Sequence, residues 1–174
     1  MSSDFSLQNA IDTFEQGDAA SALEIMQQVL IAQPHNPIVR VEFANMLMRE
    51  KRFDDARDVL NSLQDDEKNN PIVLALLGQL DAIDIVMSAP DFELLLQTIE
   101  ASPENCLVRE QLSAHYKLRG DYNAALEQLL YIVKTDKNYN NNAGQAGLFK
   151  IFDILGHEHE LVGEYRKKLA LILN

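Results

Sequence analysis

The chain has 174 residues, enough to bury a hydrophobic core, and its seven glycines and five prolines suit a protein made mainly of helices. Its net charge of −12 argues against nonspecific binding to nucleic acid, because the protein and the phosphates repel each other. The single cysteine, Cys106, excludes an intrachain disulfide and a Cys-x-x-Cys redox pair, and we expect a buried thiol there. The sequence shows no signal peptide and no uninterrupted apolar run near the ~18 residues that a membrane span needs, so we expect a cytoplasmic protein that does not bind membranes.

The charge is unevenly distributed along the chain. Residues 1–108 contain nineteen Asp and Glu and six Lys and Arg, whereas residues 109–174 contain eight and nine. One interpretation is a simple difference in how the helix surfaces are solvated. The other is an acidic N-terminal flank with a separate partner surface towards the C-terminal end.

Small residues recur with a period of 34 or 35 residues. Ala22 and Ala56 are 34 residues apart, and Ala56 and Ala125 are 69 apart, close to two periods. Two antiparallel helices pack closely only where a side chain is small, so these positions predict helix pairs. A second series of small residues with the same spacing lies twelve residues earlier in each unit: Ala10, Ala44, Gly78 and Ser113.

This period resembles that of the tetratricopeptide repeat (TPR), a helix-turn-helix unit of ~34 residues. We therefore predict an all-α protein, a TPR-like α-solenoid of about four repeats with a C-terminal helical pair, because a single helix pair cannot bury its apolar face alone. The turn within a repeat is marked by Gly17-Asp18 and Gly120-Asp121, and less purely by Lys51-Arg52. The predicted boundaries within one compact domain are residues 4–34, 37–70, 71–102 and 103–137 for the repeats and 138–174 for the capping pair.

The third repeat is predicted to be degenerate. Pro90 lies where the small residue of the second helix would stand, and a proline is not tolerated inside a helix. The second helix must therefore begin late, near Asp91, and end near Ala101. Before this repeat, we expect residues 65–70 to form a polar loop.

Two further helices, at about residues 143–155 and 157–173, are predicted after a loop rich in asparagine and are separated at Gly156. The last helix has one apolar face, which makes it suitable for capping a stack of repeats. This face consists of Leu161, Tyr165, Leu169 and Ile172.

No catalytic or metal-binding motif is present in the sequence. His157 and His159 form the densest ligand-like cluster, but residues two apart on a helix face away from each other. The chain has no phosphate-binding loop, no dinucleotide fingerprint and no nucleophile elbow. We predict no active site, no cofactor and no metal, and hence a protein that is not an enzyme; turnover abolished by substituting either histidine would reverse that view.

In a TPR stack, fixed positions on the first helix of each repeat line a groove that binds protein. These positions are mostly apolar here, and Ile11 and Ile72 stand where lysine or asparagine grips the acidic tails of heat-shock proteins in other TPR domains. The groove either holds an apolar peptide or an unfolded segment, or is filled by the protein's own parts, such as the last helix. The candidate groove residues are Ile11, Phe14, Ile38, Val41, Asn45, Met48, Arg49, Ile72, Gln79, Ile83, Glu110 and Lys117.

The C-terminal third carries a more specific resemblance. The segments 103–105 and 120–130, and Leu155-Gly156 followed by the segment 161–170 (Leu-Val-Gly-Glu-Tyr-Arg-Lys-Lys-Leu-Ala), resemble the TPR region of the bacterial thioredoxin-like co-chaperones, the chaperedoxin or YbbN family. Two departures stand out: this sequence lacks the N-terminal thioredoxin-fold domain of that family, and it has Asn141 and Gln145 where an acidic residue and an arginine are expected.

The resemblance implies a role in protein folding and stress response. The family protects client proteins from aggregation and delivers them to the GroEL chaperonin or the DnaK system, and its thioredoxin half belongs to cell redox homeostasis. This region would supply protein–protein contacts to clients or chaperones, with the last helix as a candidate surface. The alternative is a generic TPR scaffold in a non-chaperone assembly. The residues implied on the last helix are Tyr165, Arg166, Lys167 and Lys168.

Overall fold

The computed structural model describes residues 6–173, which form eleven α-helices and no strand. The predicted all-α, TPR-like α-solenoid class is therefore confirmed. The helices are α1 (Leu7–Glu15), α2 (Ala19–Ala32), α3 (Pro37–Arg49), α4 (Phe53–Asn61), α5 (Asp65–Lys68), α6 (Pro71–Ser88), α7 (Phe92–Ala101), α8 (Cys106–Leu118), α9 (Tyr122–Thr135), α10 (Tyr139–Leu155) and α11 (Glu160–Leu173).

The chain divides into two compact units, which meet between Val73 and Leu74 within α6. In the first unit, α1 packs on α2, α3 on α4, and α2 on α3. In the second unit, α9 packs against α8, α10 and α11, while α7 packs on α8. The repeat boundaries inside each unit remain a prediction.

Short polar caps begin the helices at the predicted breaks. The side chain of Asp18 accepts a hydrogen bond from the amide of Ser21 at 3.1 Å, and that of Asp121 accepts one from Ala124 at 3.0 Å. Gly17 and Gly120, which precede these caps, have φ angles of +91° and +74°. Lys51 stands at the equivalent position of the second repeat with a φ of +59°, a left-handed conformation that is costly for a residue with a Cβ.

The periodic small residues are buried on helices that pack against each other. In the first unit, Ala10, Ala22, Ala44 and Ala56 are completely buried. Small side chains at these positions let the helix backbones approach each other, as the sequence predicted.

The second unit also buries small residues between its helices, and one of them makes a hydrogen bond. Ala125 is completely buried, and the Ser113 hydroxyl donates a hydrogen bond to its carbonyl oxygen at 3.2 Å. A Cβ on Gly78 would lie 3.0 Å from the Cδ1 atom of Ile154, so α6 and α10 also approach closely. Ser113 and Ala125 are therefore confirmed as close-packing positions in the core, whereas Gly78 is half-buried and contacts α10 instead of the second helix of its own repeat.

The degenerate third repeat has the predicted form. α6 ends at Ser88, Pro90 stays outside the helices, and the carboxylate of Asp91 accepts a hydrogen bond from the Leu94 amide at 2.9 Å. The short α7 buries Leu95. Because the proline is excluded from the helix interior, the second helix begins two residues after it.

Two features of the sequence interpretation need correction. Residues 65–68 form the short helix α5 instead of a continuous loop. In addition, α6 has 18 residues with a mean hydropathy of 1.6, so by length and composition alone it could cross a membrane, although helices in the core of soluble proteins pass the same test. Asp81 and Asp84 interrupt its apolar run, which is why the sequence seemed to contain no stretch of that length.

The C-terminal helices pack by close backbone approach. Asn140, Asn141 and Asn142 are left-handed and kink the start of α10, a conformation that asparagine tolerates better than most residues. Farther along α10, a Cβ on Gly147 would lie 2.8 Å from the Cδ2 atom of Leu129 on α9. The glycines of α10 thus extend the small-residue principle beyond the predicted repeats.

Candidate functional site

The candidate site begins with a four-residue sequence that occurs twice. Asn-Pro-Ile-Val stands at residues 36–39 and again at residues 70–73, 34 residues later. In the first copy, the Asn36 side chain accepts a hydrogen bond from the Ile38 amide at 3.0 Å. In the second, Asn70 accepts one from Ile72 at 2.9 Å. Both copies therefore begin a helix with the same asparagine cap and with proline in the first turn.

Equal local structure gives equal exposure of the side chains. Val39 and Val73 are buried, at 0% and 2% exposure, and contribute to the core. Their neighbours Ile38 and Ile72 are 61% and 59% exposed. Since successive residues on a helix point about 100° apart, the valine faces the core while the isoleucine faces outwards.

The two isoleucines line one pocket of about 400 Å³ in the first unit, which we call the isoleucine pocket. Its volume falls in the ~300–1,000 Å³ range typical of binding sites, and its wall is mainly apolar. Three candidates from the sequence, Ile38, Val41 and Ile72, meet here. The full lining is Pro37, Ile38, Val41, Glu42, Asp66, Glu67, Asn69, Asn70, Ile72 and Val73.

An acidic rim surrounds this apolar surface. Glu42 follows Ile38 by one helical turn, and α5 contributes Asp66 and Glu67. Glu67 is held in position because its Oε2 atom accepts a hydrogen bond from the Gln64 amide at 2.9 Å. Among the described residues, no Lys, Arg or His lines the pocket, so its electrostatic potential favours cations.

The other predicted groove residues of the first unit do not line this pocket. Phe14 is buried, and the guanidinium of Arg49 stacks 4.5 Å from its ring centroid while pairing with Glu15 at 2.6 Å. Phe14 therefore acts in the core, and the Arg49 side chain covers it. Three further predicted residues, Ile11, Asn45 and Met48, are half-buried on α1 and α3.

The predicted groove residues of the second unit are more polar. Glu110 accepts a hydrogen bond from the Tyr139 hydroxyl at 3.0 Å; burial and this bond raise the pKa of Tyr139 to about 12. Burial lowers the pKa of Lys117, opposed by the attraction of Asp81. Of the remaining candidates in this unit, Gln79 is exposed and Ile83 is half-buried.

The last helix divides into a buried and an exposed set. Tyr165 is completely buried, and its hydroxyl donates a hydrogen bond to Asn123 Oδ1 at 2.9 Å. It therefore packs in the core, whereas the sequence analysis placed it on a partner-binding surface. An aromatic ring with a polar tip is stable in a core when that tip finds a hydrogen-bond partner. Lys168 pairs with Glu164 at 2.6 Å, and Lys167 lines a shallow depression beside the exposed Leu171.

His157 and His159 each contact a different residue and do not form a shared site. Nδ1 of His157 lies 2.8 Å from Nη2 of Arg166, and Nδ1 of His159 accepts a hydrogen bond from the Leu161 amide at 3.3 Å. Within residues 6–173, no group of three His, Cys, Asp or Glu residues is arranged to hold a metal ion. Burial raises the pKa of the Cys106 thiol, which keeps it protonated and weakly nucleophilic.

Sequence reasoning identified the apolar part of the pocket and missed its polar part. Asp66 and Glu67 were not assigned to the groove because residues 65–70 were interpreted as a loop, and Glu42 is not one of the groove positions that the repeat register assigns to α3. The signal that could have found them is the doubled Asn-Pro-Ile-Val sequence, which sets Ile38 and Ile72 in equivalent positions on either side of α5 in the chain.

The chain is similar to two family profiles and to a solved structure. A family profile described as "Tetratricopeptide repeat" matches residues 86–174, and a second profile with the same description matches residues 13–80. No curated protein matches the chain. One similar solved structure is a domain of protein VP0806, of unknown function, from Vibrio parahaemolyticus RIMD 2210633. It is 24% identical, with a TM-score of 0.43, over 97% of this chain and 98% of that one.

Proposed function

This chain belongs to the tetratricopeptide-repeat family, and on that basis we propose that it is a protein-interaction module that binds other polypeptides. Repeats of this kind are typically interaction modules without catalytic activity. The residues that would contact a partner are side chains on the first helix of each repeat. The molecule would therefore act by presenting surfaces.

The observation that carries this proposal is the isoleucine pocket. Two aliphatic side chains at equivalent repeat positions are about 60% exposed and line one concave surface. Single exposed apolar residues are common on proteins, but a concave apolar surface with a polar rim is typical of binding sites. Burying Ile38 and Ile72 against a partner would remove their apolar surface from water, worth ~25 cal/mol per Å².

More specifically, we propose that the chain is the interaction module of a thioredoxin-like co-chaperone and works in the cytoplasm. The support is the resemblance of the Gly120-Asp121 turn and of the Leu-Val-Gly-Glu-Tyr-Arg-Lys-Lys-Leu sequence at 161–169 to that family. Its partners would be unfolded clients and either GroEL or the DnaK system. The thioredoxin-like domain of the family would supply any redox chemistry, separately from this region.

A binding experiment tests the proposed function at both levels. The chain is immobilised and exposed to purified GroEL, to purified DnaK and to a thermally unfolded client protein, and binding is followed by interferometry. A co-chaperone module should retain at least one of them and should reduce client aggregation measured by light scattering. If the chain binds none of the three proteins and does not change client aggregation, the co-chaperone assignment is refuted.

The alternative is a TPR scaffold in an assembly unrelated to protein folding. The acidic character of residues 1–108 favours it as much as a chaperone role, because many partners could complement that charge. Purification of a stable complex of defined stoichiometry with an identified non-chaperone protein would support the scaffold. In that case the chain would still be an interaction module, while the co-chaperone assignment would fall.

A further inference from the structure

We propose that the isoleucine pocket binds a polypeptide segment in which aliphatic side chains are flanked by lysine or arginine. This inference rests on the proposed function as an interaction module and names the chemistry of the partner. The site is the apolar surface of Pro37, Ile38, Val41, Ile72 and Val73 with its acidic rim. The partner would place its aliphatic side chains between the isoleucines and its cations at the rim.

The first argument is that the fold does not require the two isoleucines. The caps provided by Asn36 and Asn70 and the buried Val39 explain why a repeated sequence begins these helices. None of these structural tasks needs a large apolar residue at position 38 or 72, where most of the side chain is in solvent. An exposed residue at the start of a helix is satisfied equally well by a polar side chain.

The second argument is the sign of the surrounding charge. Glu42 and Asp66 form no ion pair with any residue that the structure describes, so their charges remain available to a partner. Glu67 is oriented by its hydrogen bond to the Gln64 amide. Residues 1–73 contain thirteen Asp and Glu against six Lys and Arg, so the wider field also attracts cations.

The combination selects one class of partner. An acidic peptide or a nucleic acid would be repelled by the rim, and a small cation alone would leave the apolar surface in water. A segment that combines aliphatic and cationic residues satisfies both parts of the site. The aliphatic contacts would supply most of the affinity, and the rim would supply specificity and a fast association rate.

The experiment uses the whole chain and three labelled probe peptides of about twelve residues, followed by fluorescence anisotropy. The first probe alternates leucine and lysine, the second replaces each lysine by glutamate, and the third replaces each leucine by serine. We expect the leucine–lysine probe to bind with a dissociation constant at least tenfold lower than either of the others. Its affinity should fall as salt is added, because the rim charges are then screened.

Substitutions then locate the binding site. Ile38→Ser and Ile72→Ser should each weaken binding of the leucine–lysine probe by about tenfold, because an aliphatic contact is lost. Ile31→Ser is the matched control, since Ile31 is 73% exposed on α2 and does not line the pocket. It should leave the dissociation constant within about twofold of the original value.

The rim is tested separately by a double variant, Glu42→Gln with Asp66→Asn. It should weaken binding severalfold and reduce the dependence on salt, whereas Glu24→Gln on the exposed surface of α2 should change neither. All six substituted side chains are at least partly exposed, so the circular-dichroism melting curves should remain close to that of the original chain.

Several outcomes would overturn the proposal. Equal binding of the leucine–lysine and leucine–glutamate probes would remove the role of charge, and unchanged affinity in Ile38→Ser and Ile72→Ser would place the contact elsewhere. Concentration-dependent self-association in analytical ultracentrifugation, abolished by Ile72→Ser, would make the pocket a contact between copies of this chain. If these variants still bind GroEL, DnaK or the client normally, the proposed function stands and only the pocket assignment fails.

Discussion

Overpacking at Ala22 tests the idea that small residues set the distance between paired helices. Ala22 lies on α2, has no exposed surface, and belongs to the series of alanines that recurs every 34 residues. α1 packs on α2 and contributes Ala10, which is also completely buried. Ala22→Leu would add three carbon atoms at a completely buried position on one of these two packed helices.

The size of the effect follows from the packing. Extra carbons in a close-packed core force side chains off their rotamers or move the backbone, which costs ~1–3 kcal/mol. In a chain of 174 residues, each kcal/mol corresponds to ~2–4 °C in the melting temperature, so we expect a decrease of about 2–12 °C. Ala20 provides a control on the same helix turn. It is exposed, so Ala20→Leu should change the stability by less than ~0.5 kcal/mol.

The assay is urea unfolding followed by helical circular dichroism, supported by thermal melting. The original chain, Ala22→Leu and Ala20→Leu are compared at the same concentration. Ala125→Leu provides an independent repetition in the second unit, because Ala125 has no exposed surface either. If Ala22→Leu and Ala20→Leu unfold at the same urea concentration, the small residues do not set the helix spacing and the packing argument is refuted.

Four further measurements test other parts of the structure. Lys51→Gly should increase the free energy of unfolding in urea by ~0.5–1 kcal/mol, because glycine relieves the left-handed strain, and Lys51→Ala should give no such gain. Gly163→Ala should increase the free energy of unfolding by a similar ~0.5–1 kcal/mol, because the added Cβ meets no atom within 4 Å and the residue lies inside α11. A decrease in the free energy of unfolding would mean that the Cβ meets an obstacle there. Cys106 should react with a disulfide reagent at least ~10-fold faster in guanidinium than in buffer, since burial raises its pKa; equal rates would mean an accessible thiol. Burial, and then the charge of nearby carboxylates, raises the pKa of Tyr165 from 10.0 to about 12, so the folded chain keeps a proton that the unfolded chain loses. The free energy of unfolding should therefore fall as the pH rises from 10.0 to about 12. The decrease should be smaller in Tyr165→Phe.

The parts of the fold that could be predicted from the sequence are those whose residues recur at equivalent positions of the repeats. A close helix contact needs a small side chain, so Ala10, Ala22 and Ala44 appear at a fixed spacing and are all buried. Helix starts need caps, so Asp18 and Asp121 follow a glycine in two repeats. Pro90 was equally informative because its ring excludes a helix interior whatever surrounds it.

The parts that sequence did not predict depend on contacts between distant residues. Whether an acidic stretch such as residues 65–68 forms a helical turn depends on its local capping, here the bond from the Gln64 amide to Glu67. Tyr165 lies on the apolar face of α11 but carries a hydroxyl, and only the position of Asn123 decides that this hydroxyl is buried. Periodicity gives the face of a helix and not what covers that face.

The isoleucine pocket was predicted only in part for the same reason. The repeat register identified Ile38 and Ile72 as groove-lining positions, and their equal exposure follows from equal local structure. Two of the three rim residues, Asp66 and Glu67, do not belong to the register, because α5 lies in the connection between two repeats. The third, Glu42, lies on α3 but is not one of the groove positions that the register assigns to that helix. Rim residues of this kind can be found from the sequence only by examining the segment that connects the two repeated positions.

If the isoleucine pocket binds the proposed peptide, its charge and apolar surface would explain how a repeat scaffold acquires a particular partner. The repeated elements supply the helices, the caps and the two isoleucines, and these would give affinity without selecting a partner. Asp66 is exposed and Glu67 is half-buried in the connection between the repeats, so core packing does not fix these two positions as it fixes Val39 and Val73. Specificity would then reside in the non-repeated segment. Exchanging the acidic connection for a basic one of the same length should reverse the charge of the preferred peptide while leaving the two valines buried and the helices intact.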